Sequence, residues 1–446
     1  GANGGFPFLI LYLALALCCG VIIMLGELAL GRKTGHGAVG AYQSISKRFK
    51  WLGWLGIAAA ALIFSFYSAL GGYCLRYVVV NFGNLIGAEF GTNGVGGADV
   101  FQGLLSQPDV SIAFALAFML ITMLVVMSGV GGGIERVCSV GMPALFFILI
   151  ICIIRSCTLP GAADGLKYMF VPGWSVANGI IDEAPSFWKV LTAAGGQMFF
   201  SLSLGAGVMI TYGSYLDKKQ DLGKSAMIIV GMDTVVALMA GLCVIPGRFA
   251  LDPSGDLGGP ELLFITMQNV FDKMGPAGPV FGILFYLLVF FAAISSSISM
   301  LEVIVAHFCD KAREKGKGDR RKLYSAIVVV ICAALCALVC ADGMGSNHIS
   351  PAELLGLAGA KLPGWSTSWL GLFDSVAEGL LMPLGALLMC LMISWELKPD
   401  TLRQEILLNG ENRPWVYDFF RLCVKYITPL CMLMILYGQI SDFFIV

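Results

Sequence analysis

What most constrains this chain is the recurrence of apolar runs long enough to cross a bilayer. A membrane helix needs about 20 such residues at 1.5 Å each. Runs of this kind fall at about residues 7–30, 51–80, 110–128, 137–157, 223–246, 277–309, 323–341, 368–395 and 414–440. With one interrupted stretch at 191–215, they predict about ten membrane helices. Of the 446 residues, 58% are hydrophobic and 13% charged, far more apolar surface than a soluble globule can bury. The predicted fold class is an all-α integral membrane protein. A net charge of −1 gives no electrostatic support for a nucleic-acid partner. The fourteen cysteines lie scattered, mostly within apolar runs, and contain no C-x-x-C pair. They read as small hydrophobes, with Cys332, Cys336 and Cys340 forming one packing stripe rather than a metal box. His36, His307 and His348 make no ligand motif.

Lysine and arginine set the orientation. Arg32, Lys33, Lys47, Arg48 and Lys50 follow the first span, and Lys218, Lys219 and Lys224 follow the interrupted one. Lys311, Arg313, Lys315, Lys317, Arg320, Arg321 and Lys322 follow the serine-bearing run at 277–309, and Lys398, Arg403 and Arg413 precede the last. The alternate loops hold only Lys167, Arg248, Lys273 and Lys361. The basic loops are therefore expected in the cytoplasm, with both ends of the chain outside.

The stretch LTAAGGQMFFSLSLGAGVMITYGSY, residues 191–215, is long enough to span but has a poor centre for a lipid-facing helix. Ser201 and Ser203 stand beside Gly205, Ala206 and Gly207. Glycine costs about 1 kcal/mol relative to alanine in a helix. Small residues also serve close helix packing. The alternative is a helix that unwinds halfway across, where freed carbonyls and half-helix ends hold a cation or a carboxylate. Four helices precede this stretch, four follow it, and one more closes the chain. If the broken helix opens a five-helix repeat, the preceding repeat lacks its first helix, and the chain is expected to start inside a longer protein. The predicted organisation is helices two to five at 1–158 and an outer loop at 159–188. A second inverted repeat follows at 189–396, then a final helix region at 397–446.

Asp233 lies well inside the apolar run VGMDTVVALMAGL. An aspartate at the membrane centre costs about 2.5–3.5 kcal/mol on insertion scales. Such residues face the bundle interior and mark an ion or substrate path. A salt bridge to Arg76 or Arg155 is the structural alternative. In FFAAISSSISM, residues 290–300, Ser295 and Ser299 share a helix face, as do Ser296 and Met300. Serine hydroxyls can bond back to their own helix or serve as oxygen ligands for a hard cation. Tyr67, in LIFSFYSALGGY, is a polar-tipped aromatic inside a span. Gly133 and Pro143 flank a segment opening the fourth span, which glycine and proline would weaken.

NGGFPFLILY, GELALGR, GQMFFSLSLGAGVMITYGSY and FFAAISSSISMLEVIVA together resemble the neurotransmitter:sodium symporters, bacterial branch. The resemblance covers essentially the whole chain. It implies the LeuT-type fold of two inverted five-helix repeats, with Gly1 just past the family's first helix and the last span as its eleventh. It puts Tyr67 on a substrate carboxylate. Ile63, Phe200, Ser201, Ser203, Ala206, Ser296 and Met300 would line the substrate pocket, with Phe200 and Tyr67 as its lid. Ser201 and Asp233 match one sodium site, and the Ala292 carbonyl with Ser295 and Ser296 matches the other. Gly133 and Pro143 match an inner helix that unwinds to release sodium. Asp374 or Glu378, in LFDSVAEG, would be the outer-gate acid.

The position four after Asp233 is Ala237, so Asp233 itself would carry the negative charge, which favours chloride independence. Ala206 leaves room for a large apolar or aromatic amino acid. The expected function is sodium-coupled symport of such an amino acid, with two sodium ions, by alternating access in the cell's inner (plasma) membrane. Proton coupling through Asp233 and a non-transporting amino-acid-binding protein are the alternatives. No nucleophile–base pair, metal box or nucleotide loop supports a membrane enzyme.

Overall fold

The computed structural model describes residues 5–444, apart from 93, 182, 255–257, 319, 358–363, 398–400 and 408–413. Those residues form helices and connecting turns, with no strand among them. The first half holds α1 (Phe6–Thr34), α2 (Lys47–Ile86), the short α3 (Gly97–Leu105), α4 (Pro108–Met127) and α5 (Val130–Cys157). The interrupted stretch gives α6 (Phe187–Leu202) and α7 (Val208–Gly213). Then come α8 (Leu222–Leu251), α9 (Gly275–Glu314), α10 (Arg321–Asp342), α11 (Trp369–Glu396) and α12 (Pro414–Ser441). Nine of these, among the described residues, are long and apolar enough to cross a membrane. The broken pair α6–α7 is the tenth crossing that the sequence predicts.

The long α2 forms the spine, packing along α9, α4 and α10. Gly71 and Gly72 let it close on Phe118 and Ala115 of α4. It outlasts the span read from the sequence, reaching Ile86 before Gly87 takes the left-handed cap conformation at φ 67°. The polar stretch there stays helical because its side chains find partners. Asn81 donates to Gln268 (2.9 Å) and to the Tyr77 carbonyl (3.0 Å). The Gly/Asn-rich segment after it contains α3, and the predicted outer loop at 159–188 contains helices Ala162–Phe170 and Trp174–Ala177.

The segment flanked by Gly133 and Pro143 is wound, not frayed. Val130–Ile134 forms one widened turn after Gly129 (φ 81°), and the helix continues through Pro143. Gly133 lies against the Val125 carbonyl of α4, where a side chain would collide. Its role in this structure is close packing.

The end of the molecule bearing the basic loops is tied by buried ion pairs. Arg32 Nε meets Glu405 Oε2 at 2.8 Å, its Nη1 donates to the Asp217 and Gln220 carbonyls, and its Nη2 donates to the Glu405 carbonyl. Glu302, buried in α9, accepts from Tyr215 (2.7 Å) and from Arg321 (2.5 Å). The turn leaving α7 is thus held from two sides at the basic face of the molecule.

Candidate functional site

The site begins where α6 stops. Its last turn ends at Ser203, a non-glycine residue at φ 51°, and Gly205 and Gly207 follow at 79° and 75°. Three left-handed residues in five positions cannot continue a right-handed helix. The chain restarts at Val208, so the break lies between Ser203 and Gly207. A side chain at Gly205 would run into the Met382 carbonyl of α11, so glycine is required there for space as well as for conformation.

Glu27 of α1 holds the break open. Its Oε1 accepts from the Gly205 N–H at 2.8 Å, and the side chain is fully buried. A backbone donor released by unwinding would otherwise stand bare at mid-membrane depth. Its Oε2 is buried with no hydrogen-bond partner among the described residues. The sequence reading passed over this residue, although the criterion applied to Asp233 would have found it. Glu27 is likewise an acid inside an apolar run, VIIMLGELALG. Toward the basic end, α1 and α7 meet through Gly31 and Gly213, each against the other helix's backbone.

Asp233 stands beside the last turn of α6. Ser201 Oγ donates to its Oδ2 at 2.7 Å, and Tyr12 of α1 donates to the same oxygen at 3.2 Å. Neither Arg76 nor Arg155 is its partner. Arg76 lies over the Phe114 ring and Arg155 over Phe281. Two donors on one oxygen leave Oδ1 free to face a cation. Tyr12 is the second residue the sequence reading missed. As a polar-tipped aromatic in an apolar run it carried the same signal as Tyr67.

On α9, Ser295 Oγ donates to the Ala292 carbonyl at 2.8 Å, and Ser299 Oγ to the Ser295 carbonyl at 3.2 Å. The back-bonded arrangement is therefore the one adopted. It does not consume the hydroxyl, because Ser295 Oγ keeps lone pairs for a cation while its proton rests on the helix. Ser299 also pairs with Tyr212 of the α7 half-helix at 2.8 Å. Ser297 is turned away, against Thr122 of α4. Ser296 is the exposed member of the run and faces the Tyr67 hydroxyl.

Tyr67 and Phe200 form an edge-to-face pair, with ring centroids 6.3 Å apart at 64°. Phe200 is exposed beyond it, while Ile63, Ala206 and Met300 are buried and Ser203 is half-buried. Asp374 and Glu378, one turn apart on α11, face each other. Glu378 Oε1 is buried without a hydrogen-bond partner among the described residues. The broken helix thus gathers Ser201 with Asp233, and Tyr67 with Phe200 and Ser296. The donor set is hydroxyl, carboxylate and carbonyl oxygen, which suits a hard cation. No cluster of three or more His, Cys, Asp or Glu able to hold a metal occurs among the described residues.

The sodium:neurotransmitter symporter family matches residues 1–93 and 99–444. An uncharacterized sodium-dependent transporter of Bacillus subtilis, YhdH, is 35% identical over 99% of this chain and 91% of its own length. One from Methanocaldococcus jannaschii, MJ1319, is 28% identical over 91% of this chain and 77% of its own. Among solved structures, that of MhsT in complex with L-phenylalanine superposes with a TM-score of 0.82 at 32% identity. The match covers 98% of this chain and 92% of that one. The chain therefore belongs to the sodium:neurotransmitter symporter family, as a multi-pass, sodium-coupled secondary transporter of LeuT fold and not an enzyme.

Proposed function

We propose that the protein carries a large apolar or aromatic amino acid into the cell with two sodium ions, without need of chloride, across the plasma membrane. The observation that carries this reading is the contact of Ser201 with Asp233 at the edge of the break, beside the Tyr67–Phe200 pair. One sodium ion sits between Ser201, the free oxygen of Asp233 and the substrate carboxylate. The other sits on α9, against the Ala292 carbonyl with Ser295 and Ser296. Tyr67 donates to the substrate carboxylate, and Phe200 closes over the side chain. Ile63, Ser203, Ala206 and Met300 shape the pocket, and Asp374 or Glu378 closes the outer gate. Gly133 and Pro143 mark where α5 loosens for inward release. The repeats are those at 1–158 and 189–396, and access alternates as the bundle around the broken helix rocks against a scaffold.

The L-phenylalanine bound to MhsT supports the substrate class. The Asp233 carboxylate supports chloride independence, because a fixed negative charge beside the cation replaces a bound anion. Uptake of labelled L-phenylalanine and L-leucine into proteoliposomes tests both points. Uptake is expected with sodium chloride and with sodium gluconate alike, and to be absent with choline chloride. Uptake that follows a pH gradient and ignores sodium would select proton coupling through Asp233 instead.

A further inference from the structure

A second polar site lies on the other side of α2 from the aromatic pair's neighbourhood. A cleft of about 260 Å³ opens between the outer half of α2, the segment leading into α3, α3 itself and the start of α4. One wall carries Arg76, nine residues after Tyr67 and so about 14 Å further along the helix toward the outside. The lining also holds Asp99, in the first turn of α3. No ion pair joins them within 4.0 Å, and neither makes an ion pair elsewhere among the described residues. The Arg76 guanidinium rests on the Phe114 ring, 5.8 Å from its centroid, which orients it without neutralising it. Gln107 adds an amide to the lining, and Phe90 and Val95 line it with exposed apolar side chains. Tyr77, fully buried beneath, ends in a hydroxyl with no partner among the described residues.

We propose that this cleft is a peripheral binding site for a small zwitterion with an apolar side chain, a free amino acid. The carboxylate meets Arg76, the ammonium meets Asp99, and the side chain lies against Phe90 and Val95. A volume below the roughly 300–1,000 Å³ of drug-sized pockets restricts the occupant to a molecule of this size. The two wall charges cancel, as do those of the ligand, so binding here requires no accompanying ion. That separates it from the central site, which is sodium-dependent. Exposure of Asp99 also makes the contact sensitive to ionic strength.

The test is equilibrium binding of tritiated L-phenylalanine to the purified full-length protein with choline replacing sodium. A saturable component is expected. Arg76→Gln and Asp99→Asn should each weaken it at least about tenfold, the scale of one lost charge-assisted contact. Neither 3-phenylpropanoate nor phenethylamine, each carrying one of the two charges, should displace it. The sodium-dependent increment of binding should survive in both variants, which also reports that they fold. Ser201→Ala should lower that increment and leave the choline component unchanged. The proposal is overturned if the choline component is missing, persists in both wall variants, is displaced by the single-charge analogues, or falls in Ser201→Ala. A choline component that behaves as stated while no sodium increment exists would sink the coupled-transport reading and leave this one standing.

Discussion

Asp233 is where a single side chain decides most. Both donors that reach it, Ser201 and Tyr12, use the same oxygen, so its orientation is fixed by two helices at once. Tyr12→Phe removes the longer of these bonds. A typical hydrogen bond contributes about 0.5–1.5 kcal/mol net. The half-saturating sodium concentration for uptake should therefore rise about two- to tenfold, read from a sodium titration. Asp233→Asn removes the charge itself and should cost more than tenfold on the same titration. In the proposed pocket Tyr67→Phe deletes a donor to the substrate carboxylate, and such a bond is worth about 1.5–3 kcal/mol. Substrate affinity in a binding assay should then fall about ten- to a hundredfold. Among these residues, Asp233 and Tyr67 were legible in the sequence because a polar group in an apolar run announces itself. Tyr12 and Glu27 met the same criterion. They went unread because their meaning depends on partners 221 and 178 residues away, which no local pattern encodes.

The broken α6–α7 helix was legible as an interruption, since glycine and serine weaken a helix wherever they gather. What replaces its lost hydrogen bonds was not legible, because the acceptor sits on α1. Glu27→Leu should leave the Gly205 N–H unsatisfied and lower unfolding stability by about 1–3 kcal/mol. Glu27→Gln keeps an acceptor oxygen and should lose much less, a contrast measurable by thermal unfolding of the purified protein. Gly133 and Pro143 show the reverse dependence in this conformation. Composition suggested fraying, but tertiary packing against α4 keeps that end wound. In the outer turn at Ser350–Leu354, Glu353 closes a capping box and accepts from His348 at 2.9 Å. That hydrogen bond, with those from Ser350, holds the Glu353 carboxyl below the usual glutamate range. A depressed value means the stabilisation is present above the ordinary glutamate pKa of about 4.3 and is lost as pH falls through the lower folded-state value. Amide exchange at residues 351–355 should therefore accelerate on acidification below about pH 4, and not between pH 5 and 6.

At the scale of the whole molecule, the number of crossings and their hydrophobic pattern were both legible, because lipid forces every backbone group into a helix or a protected cavity. Which face of each helix meets its neighbour was not, since helices apolar all round carry no stripe to read. The tied basic end shows this. Arg32 and Glu302 were read as topology or not at all, yet they anchor the exit from α7. The two sodium ions proposed above, crossing about 100 mV, would supply about 4.6 kcal/mol, enough for a gradient of about three decades in a zwitterion. Coupling on that scale makes uptake respond to membrane potential as well as to sodium. The most direct measurement is concentrative uptake of labelled L-phenylalanine and L-leucine into proteoliposomes, with sodium outside and an inside-negative potential. Accumulation above the external concentration, collapsing when choline replaces sodium and in Asp233→Asn, is the predicted result. Accumulation that is equal in choline, or unaffected by loss of Asp233, would contradict it.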